Sequence, residues 1–265
     1  MTWTEPFVRR YGNSGRAVVL LHGGPGAPGS LEPLATALED EYRAYEFWQR
    51  HSGEVPLTVA RHVQDLSTIL DRELPFERPI VLGHSWGAML ALAFAASHPS
   101  RCHSLILIGC GTFDEASRAE LRRCRARKNL LSRVEGLMAE VEDPDERLAR
   151  MGRMFLQADS VDPVPGACQV GQADALGHEE TWADMMRCQE AGMYPAAFER
   201  IDVPVTMIHG AEDPHPGRLI RDGLVPHLPE LRYVEIPRCG HTPWIEREAS
   251  ERFHEVLREA LSVVE

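Results

Sequence analysis

Ser85 lies in Gly83-His84-Ser85-Trp86-Gly87, between the apolar run Pro79-Ile80-Val81-Leu82 and a helix-period segment over 88–98. A G-x-S-x-G at a strand-to-helix turn forces the serine into a strained backbone conformation that lifts its hydroxyl above the sheet, ready to attack a carbonyl. Side chains at 83 and 87 would crowd strand against helix, which accounts for the two glycines. Upstream, Ala17-Val18-Val19-Leu20-Leu21 runs into His22-Gly23-Gly24-Pro25-Gly26, a turn with little side chain to block its amides. Such a turn can aim N–H groups at a developing oxyanion. Pro25 has no N–H, so Gly24 is the expected partner of the Trp86 amide, with Gly26 as second choice.

Downstream, Val203-Pro204-Val205-Thr206-Met207-Ile208 ends in His209-Gly210-Ala211-Glu212-Asp213-Pro214, and Tyr233-Val234-Glu235-Ile236 leads to Cys239-Gly240-His241-Thr242-Pro243. Ser85, Asp213 and His241 thus run nucleophile, acid, base, each just past an expected strand. A histidine so placed takes the serine proton, while a carboxylate fixes its tautomer and supports its positive charge. Glu212 is adjacent but should point elsewhere in the turn, and Asp114, past an earlier strand, is a second carboxylate within reach of the histidine. His22 and His84 are expected to hold loop geometry through hydrogen bonds.

This order and these turns resemble the α/β-hydrolase superfamily. His-Gly-Gly-Pro-Gly, Gly-His-Ser-Trp-Gly-Ala and Gly-His-Thr-Pro-Trp look most like its proline iminopeptidase and related esterase branch, over roughly residues 7–111 and 201–263. The resemblance implies an α/β fold with a mainly parallel sheet flanked by helices and an inserted helical cap. It also implies a Ser85–His241–Asp213 triad, an oxyanion hole of Gly24 and Trp86, an acyl-enzyme route and no cofactor. Aminopeptidases of that branch bind the substrate's free amine with acidic cap residues. Here the branch's tryptophan-glutamate signature is missing from the first cap helix, which is arginine-rich instead, although Glu179, Glu180, Asp184 and Glu190 remain candidates for an amine site. A small carboxylic ester is therefore the expected substrate, with an iminopeptidase-like aminopeptidase and a non-catalytic ligand-binding protein as alternatives. A serine at the elbow argues against dehalogenase and epoxide hydrolase chemistry, whose resemblance would require aspartate.

The elements that must position these residues read as a β/α alternation. Strand-like 7–11, helix-like 31–39, strand-like 43–48, helix-like 57–74, strand 79–82, helix 86–98 and strand 103–108 imply a mainly parallel sheet. The alternation stops at Gly111 and resumes near Ile201, far more chain than a crossover needs. Apolar periodicity over 114–133, 145–156 and 180–192, separated by Pro163-Val164-Pro165-Gly166 and by Gly177, makes this segment a helical cap over the strand C-termini. The division is a core of 1–111 and 201–265 with a cap of 112–200. Phe113, Trp182 and Met185 are the expected pocket residues, with Trp86 beside Phe113 at the cleft, in a cap holding six of the 9 methionines.

Bulk properties suit one soluble enzyme domain: 265 residues with 43% hydrophobic content can bury a single large core. Neither a membrane-length apolar run nor a signal peptide is found, Met1 to Pro6 lacking the charged and apolar regions of one, so a cytoplasmic location is the expectation. Cys102, Cys110, Cys124, Cys168, Cys188 and Cys239 form no C-x-x-C pair or zinc spacing, which suits reduced thiols and implies no metal. The net charge of −12 disfavours nucleic acid and anionic membrane, leaving a small-molecule substrate as the expected partner and the oligomeric state open. The basic run Arg118, Arg122, Arg123, Arg125, Arg127 and Lys128 reads as a solvated helix face paired with the acidic 140–146, the other reading being a docking site for acidic ligands.

Overall fold

The computed structural model describes residues 4–26, 28–167 and 171–262. Within them, β1 (Phe7–Tyr11), β2 (Ala17–Leu21), α1 (Glu32–Leu38), β3 (Arg43–Trp48), α2 (Val59–Glu73), β4 (Ile80–His84), α3 (Trp86–Ser97) and β5 (Ser104–Ile108) alternate as expected. The insertion supplies α4 (Glu115–Arg127), α5 (Leu130–Glu140), α6 (Pro144–Ala158) and α7 (Ala175–Glu190). The chain then resumes with β6 (Val205–Gly210), α8 (Gly217–Leu224), β7 (Arg232–Ile236) and α9 (Ser250–Ser262).

These strands form a seven-stranded sheet in the order β1-β3-β2-β4-β5-β6-β7. β1 pairs antiparallel with β3, and the remaining neighbours are parallel. A parallel strand covered on both faces needs apolar residues on both, and β2 buries all five of its own. Val18 and Leu20 join the layer of α1 and α9, while Val19 and Leu21 join that of α2, α3 and α8. The all-round apolar α3 is buried from Trp86 to Ala96 because it lies in the middle of its layer. β2 and β4 are neighbours whose outgoing connections run to opposite sides of the sheet. The crevice at their C-terminal ends is thus the topological switch point, where open α/β sheets bind ligands.

Three local features depart from the sequence reading. The helix expected over 114–133 is two helices, because Asn129 adopts a left-handed conformation (φ 51°), which asparagine tolerates better than most residues. α7 starts at Ala175, not at 180: Asp174 caps it by accepting the Gly177 N–H at 3.0 Å. Gly177 sits inside that first turn, where a Cβ would lie 2.2 Å from the Asp174 carboxylate. The basic run does not pair with 140–146. Arg118 and Arg122 bind Glu115, Arg123 binds Glu120, and Arg125 turns inward to Asp159. For Arg118 and Arg123 the partner is an acid three residues away on the same helix.

Among the described residues Cys102, Cys110, Cys188 and Cys239 are buried and unpaired and Cys124 is half-buried; Cys168 and Met1 to Trp3 lie outside them. No described helix is long and apolar enough to cross a membrane.

Candidate active site

Ser85 joins β4 to α3 at φ 55° and ψ −116°, a region costly for any residue with a side chain. The turn is held because it has no slack. A Cβ on Gly83 would lie 2.2 Å from the Gly87 carbonyl oxygen, and one on Gly87 would lie 2.0 Å from that of Leu21. Ser85 N–H donates to the Ile108 carbonyl at 2.9 Å, tying the elbow to β5. Trp86 opens α3, so helix geometry leaves its amide without an intrahelical acceptor. Its indole is fully buried and donates to Gln49 Oε1 at 2.9 Å, so Trp86 offers the cleft an amide and no ring, unlike the cleft-facing side chain expected of it.

The glycine turn after β2 faces this elbow: a Cβ on Gly23 would come within 3.0 Å of the Ser85 Cβ. Gly24 follows at φ 42°. His22 donates through Nδ1 to the Gly23 carbonyl at 3.0 Å, and its Nε2 accepts the Gln49 N–H at 3.3 Å. Gln49 Nε2 in turn donates to the His22 carbonyl, so one buried glutamine links the turn to the Trp86 indole. α7 braces the other side, with His178 Nδ1 donating to the Pro25 carbonyl at 2.7 Å and Asp174 N–H to that of Gly26 at 3.2 Å.

Asp213 and His241 meet as expected, Nδ1 of the histidine donating to Oδ2 at 2.7 Å. That bond leaves Nε2 with the lone pair a general base needs. Two histidines not singled out in the sequence share the carboxylate. His209, next to last in β6, reaches Oδ2 through Nε2 at 3.1 Å. His215 binds Oδ1 through both its N–H at 2.9 Å and its Nδ1 at 3.0 Å. The His209 nitrogen also faces the His215 carbonyl at 3.0 Å, so it carries the proton. The His215 and His241 rings stack with centroids 4.2 Å apart and planes 19° apart. A histidine two residues past an acid at a strand end was the available signal. Glu212 does point away, accepting the Cys239 N–H. Asp114 is committed to capping α4, both its oxygens bonding Ser117.

Burial works against a charged His241, but the charge and hydrogen bond of Asp213 outweigh it and hold its pKa above the ordinary 6.5; Asp159 adds to the rise and Arg125 opposes it. Burial likewise works against the Asp213 anion, and His241, His215 and His209 together hold its carboxyl well below the usual range. Burial first, and the charge of His241 second, push His215 down to about 4. His84 is pushed to about 3 by burial and stays neutral while its Nε2 donates to the His241 carbonyl at 2.9 Å. Gly109 (φ 52°) completes the nest, since a Cβ there would lie 3.0 Å from His241 Nδ1.

The histidine loop is stitched to the insertion. His241 N–H donates to the Asp159 carbonyl at 2.8 Å. Glu246, 1% exposed, accepts from Gly240 N–H at 2.9 Å, Val161 N–H at 2.9 Å and Asp162 N–H at 2.7 Å.

Of the expected pocket residues, Trp182 is half-buried 5.9 Å from the Trp86 ring, whereas Phe113 packs edge-on against Phe198 at 5.1 Å. Met185 is fully buried in the core layer shared with Phe198, and Met138 and Met193 are half exposed, so these methionines form no continuous apolar wall. Glu180 accepts the Leu57 N–H and Asp184 the Val59 N–H, while Glu179 and Glu190 are exposed. A surface hollow of about 360 Å³ beside β1 and β3, lined in part by Arg10, Glu39 and Arg43, holds no nucleophile and base.

The arrangement brings together a strained serine on the elbow, a glycine turn packed against it, and a histidine made basic by a buried carboxylate. The chain is 27% identical to a 2-hydroxy-6-oxononadienedioate/2-hydroxy-6-oxononatrienedioate hydrolase of Burkholderia vietnamiensis, over 94% of this chain and 88% of that one. It is 38% identical to a probable proline iminopeptidase of Leptolyngbya boryana over 36% of this chain and 32% of the other. A thermophilic esterase from Thermogutta terrifontis shares the fold at TM-score 0.67 and 21% identity, covering 100% and 98% of the two chains. The model of the alpha/beta hydrolase family matches residues 18–256, and with the sheet, elbow and strand order already described, the chain belongs to that family.

Proposed function

We propose that this protein is a serine hydrolase that cleaves small carboxylic esters through an acyl-enzyme. The observation that carries the reading is Ser85 at φ 55° on the elbow of a sheet that also delivers the 2.7 Å Asp213–His241 bond. His241 takes the Ser85 proton as Oγ attacks the carbonyl, and the amides of Gly24 and Trp86 stabilise the oxyanion. The protonated His241 gives its proton to the leaving alcohol. Water, activated by the same imidazole, then releases the acid. Asp213 keeps the tautomer and offsets the imidazolium charge.

The four inserted helices act in this reading as a cap that selects the substrate, over a core of 1–111 and 201–265. Commitment of Glu180 and Asp184 to backbone amides of 57 and 59 supports an ester over a peptide, because an exopeptidase must pair the ammonium at its substrate's end. The partner is a small molecule, and the five unpaired thiols among the described residues suit a reducing cytoplasm.

The test is threefold. A fluorophosphonate should label one serine per chain, Ser85→Ala should abolish labelling and lower kcat about 10⁴-fold or more, and p-nitrophenyl esters should exceed proline p-nitroanilide in kcat/KM. Activity of the alanine variant above a tenth of wild type removes the serine mechanism. Faster cleavage of proline p-nitroanilide turns the reading to the aminopeptidase. Absence of labelling turns it to a ligand-binding protein.

A further inference from the structure

The inward turn of Arg125 sets an ion pair beside His241. Its guanidinium lies 4.4 Å over the Phe155 ring and donates through Nη2 to Asp159 Oδ2 at 2.6 Å. Asp159 is 2% exposed, and its carbonyl holds the His241 N–H at 2.8 Å, so the pair abuts the residue proposed as base. Arginine and carboxylate usually meet as two parallel forks with two hydrogen bonds. Here one prong of each is engaged. Among the described residues, Arg125 Nε and Asp159 Oδ1 are both buried and have no hydrogen-bond partner. A buried donor or acceptor left unmet is costly, and here one of each lies on a single ion pair.

We propose that this open donor and acceptor form a substrate subsite for a neutral group that both gives and takes a hydrogen bond, an alcohol hydroxyl on the acyl chain. The charges select that class. Arg125 and Asp159 already cancel, so an ammonium would face the guanidinium and a carboxylate would face Asp159. An alkyl chain would leave both atoms unmet. A hydroxyl accepts from Nε and donates to Oδ1, and the site's discrimination against an analogue lacking it is large because two buried groups are then unpaired. The proposal rests on the ester reading for its assay, not for its binding chemistry.

The experiment compares p-nitrophenyl butanoate with its 2- and 3-hydroxy, amino and carboxy analogues in the wild type and in the apolar double variant Arg125→Met, Asp159→Leu. One hydroxy position should raise kcat/KM about tenfold or more over the parent in wild type, the charged analogues should not, and the ratio of hydroxy to parent ester should fall to about one in the double variant. In parallel, 3-hydroxybutanamide and 2-hydroxybutanamide are compared with butanamide by thermal shift, which needs no turnover. If no ester is cleaved yet a hydroxyamide stabilises wild type and not the double variant, the ester reading fails and the subsite stands. Ratios near one at every position with no differential shift, or a larger gain from the amino or carboxy analogue, overturn the subsite.

Discussion

Asp213 accepts four hydrogen bonds, and only the one from His241 Nδ1 is positioned to matter to a proton relay. Asp213→Asn places an amide where a carboxylate must receive N–H groups, so His241 adopts the wrong tautomer. A kcat loss of several orders of magnitude is expected, typically about 10⁴-fold in such triads. Asp114→Asn, at a helix cap, should cost less than about tenfold, because an amide still caps. If steady-state assays reverse the two effects, the acid is misassigned. The pH profile follows from the same pair. His241 must be neutral to accept a proton, so kcat/KM falls as pH falls through its pKa, and because that pKa is raised, the acid limb should lie above 6.5. The groups facing His241 are Asp213, Asp159, Arg125, His84 and His215, of which His84 and His215 stay neutral near pH 7. His215→Phe keeps a stacked ring but removes one donor from Asp213, leaving more of the carboxylate's charge to His241. The limb should move to higher pH, and His215→Asn, which restores a donor, should move it back. A limb unchanged in the phenylalanine variant means that His215 only fills space.

Elements carry these residues with different degrees of independence. Ser85 is set by β4 and α3, whose glycine contacts are local, so the sequence alone shows the elbow. β4 is read from an apolar run ending in glycine. What escapes is anything decided by a partner far along the chain: Arg125 looks like one of six basic residues on a solvated face until α6 brings Asp159 beneath it. The break at Asn129 escapes for a different reason, since one residue's left-handed conformation leaves the apolar period intact on both sides. α9 is a missed signal: Phe253, Val256, Leu257, Ala260 and Leu261 have helical spacing and are all buried. Glu246 is the clearest long-range case. Following Pro243-Trp244-Ile245, it gathers three backbone N–H groups that join the histidine loop to the end of α6, and no local pattern in the sequence marks it. Glu246→Gln turns an amide NH₂ toward some of those donors and removes the charge. A destabilisation of about 3 kcal/mol in urea unfolding is expected, with kcat falling more than KM rises because His241 loses its seat. A variant as stable and as active as wild type shows that the loop is held by other bonds.

At the scale of the whole molecule, the neutral histidines set the acid limit of the fold. His22, His62, His84 and His215 are pushed down to about 4, 3, 3 and 4, with burial the first cause in each. A folded-state pKa below the unfolded one means that the folded form resists a proton that the unfolded chain accepts. These histidines therefore withhold no stability above the ordinary 6.5, and they remove it progressively as pH falls from there toward 4. At pH 5 each costs about 2 kcal/mol relative to pH 7, at 1.36 kcal/mol per pH unit. Asp213 adds to the loss only below the ordinary carboxylate pKa, because its folded value is depressed. His241 acts in the opposite sense: its raised pKa adds stability below 6.5, which is lost as pH rises through the folded value. His51 and His178 are lowered as well, again by burial first, so six losses against one gain leave a net deficit comparable to the about 5–15 kcal/mol that stabilises a typical domain. The chain should thus unfold cooperatively between about pH 6 and pH 4, before most carboxylates titrate, and urea midpoints measured at fixed pH should decline steeply across that window. Each of His22→Gln, His62→Gln and His215→Asn should flatten the slope by about one proton's worth near pH 5, even where it lowers stability at pH 7. A midpoint that stays level from pH 7 to pH 5 in the wild type shows that these imidazoles gain water or partners on protonation and that their burial does not govern the acid stability of the protein.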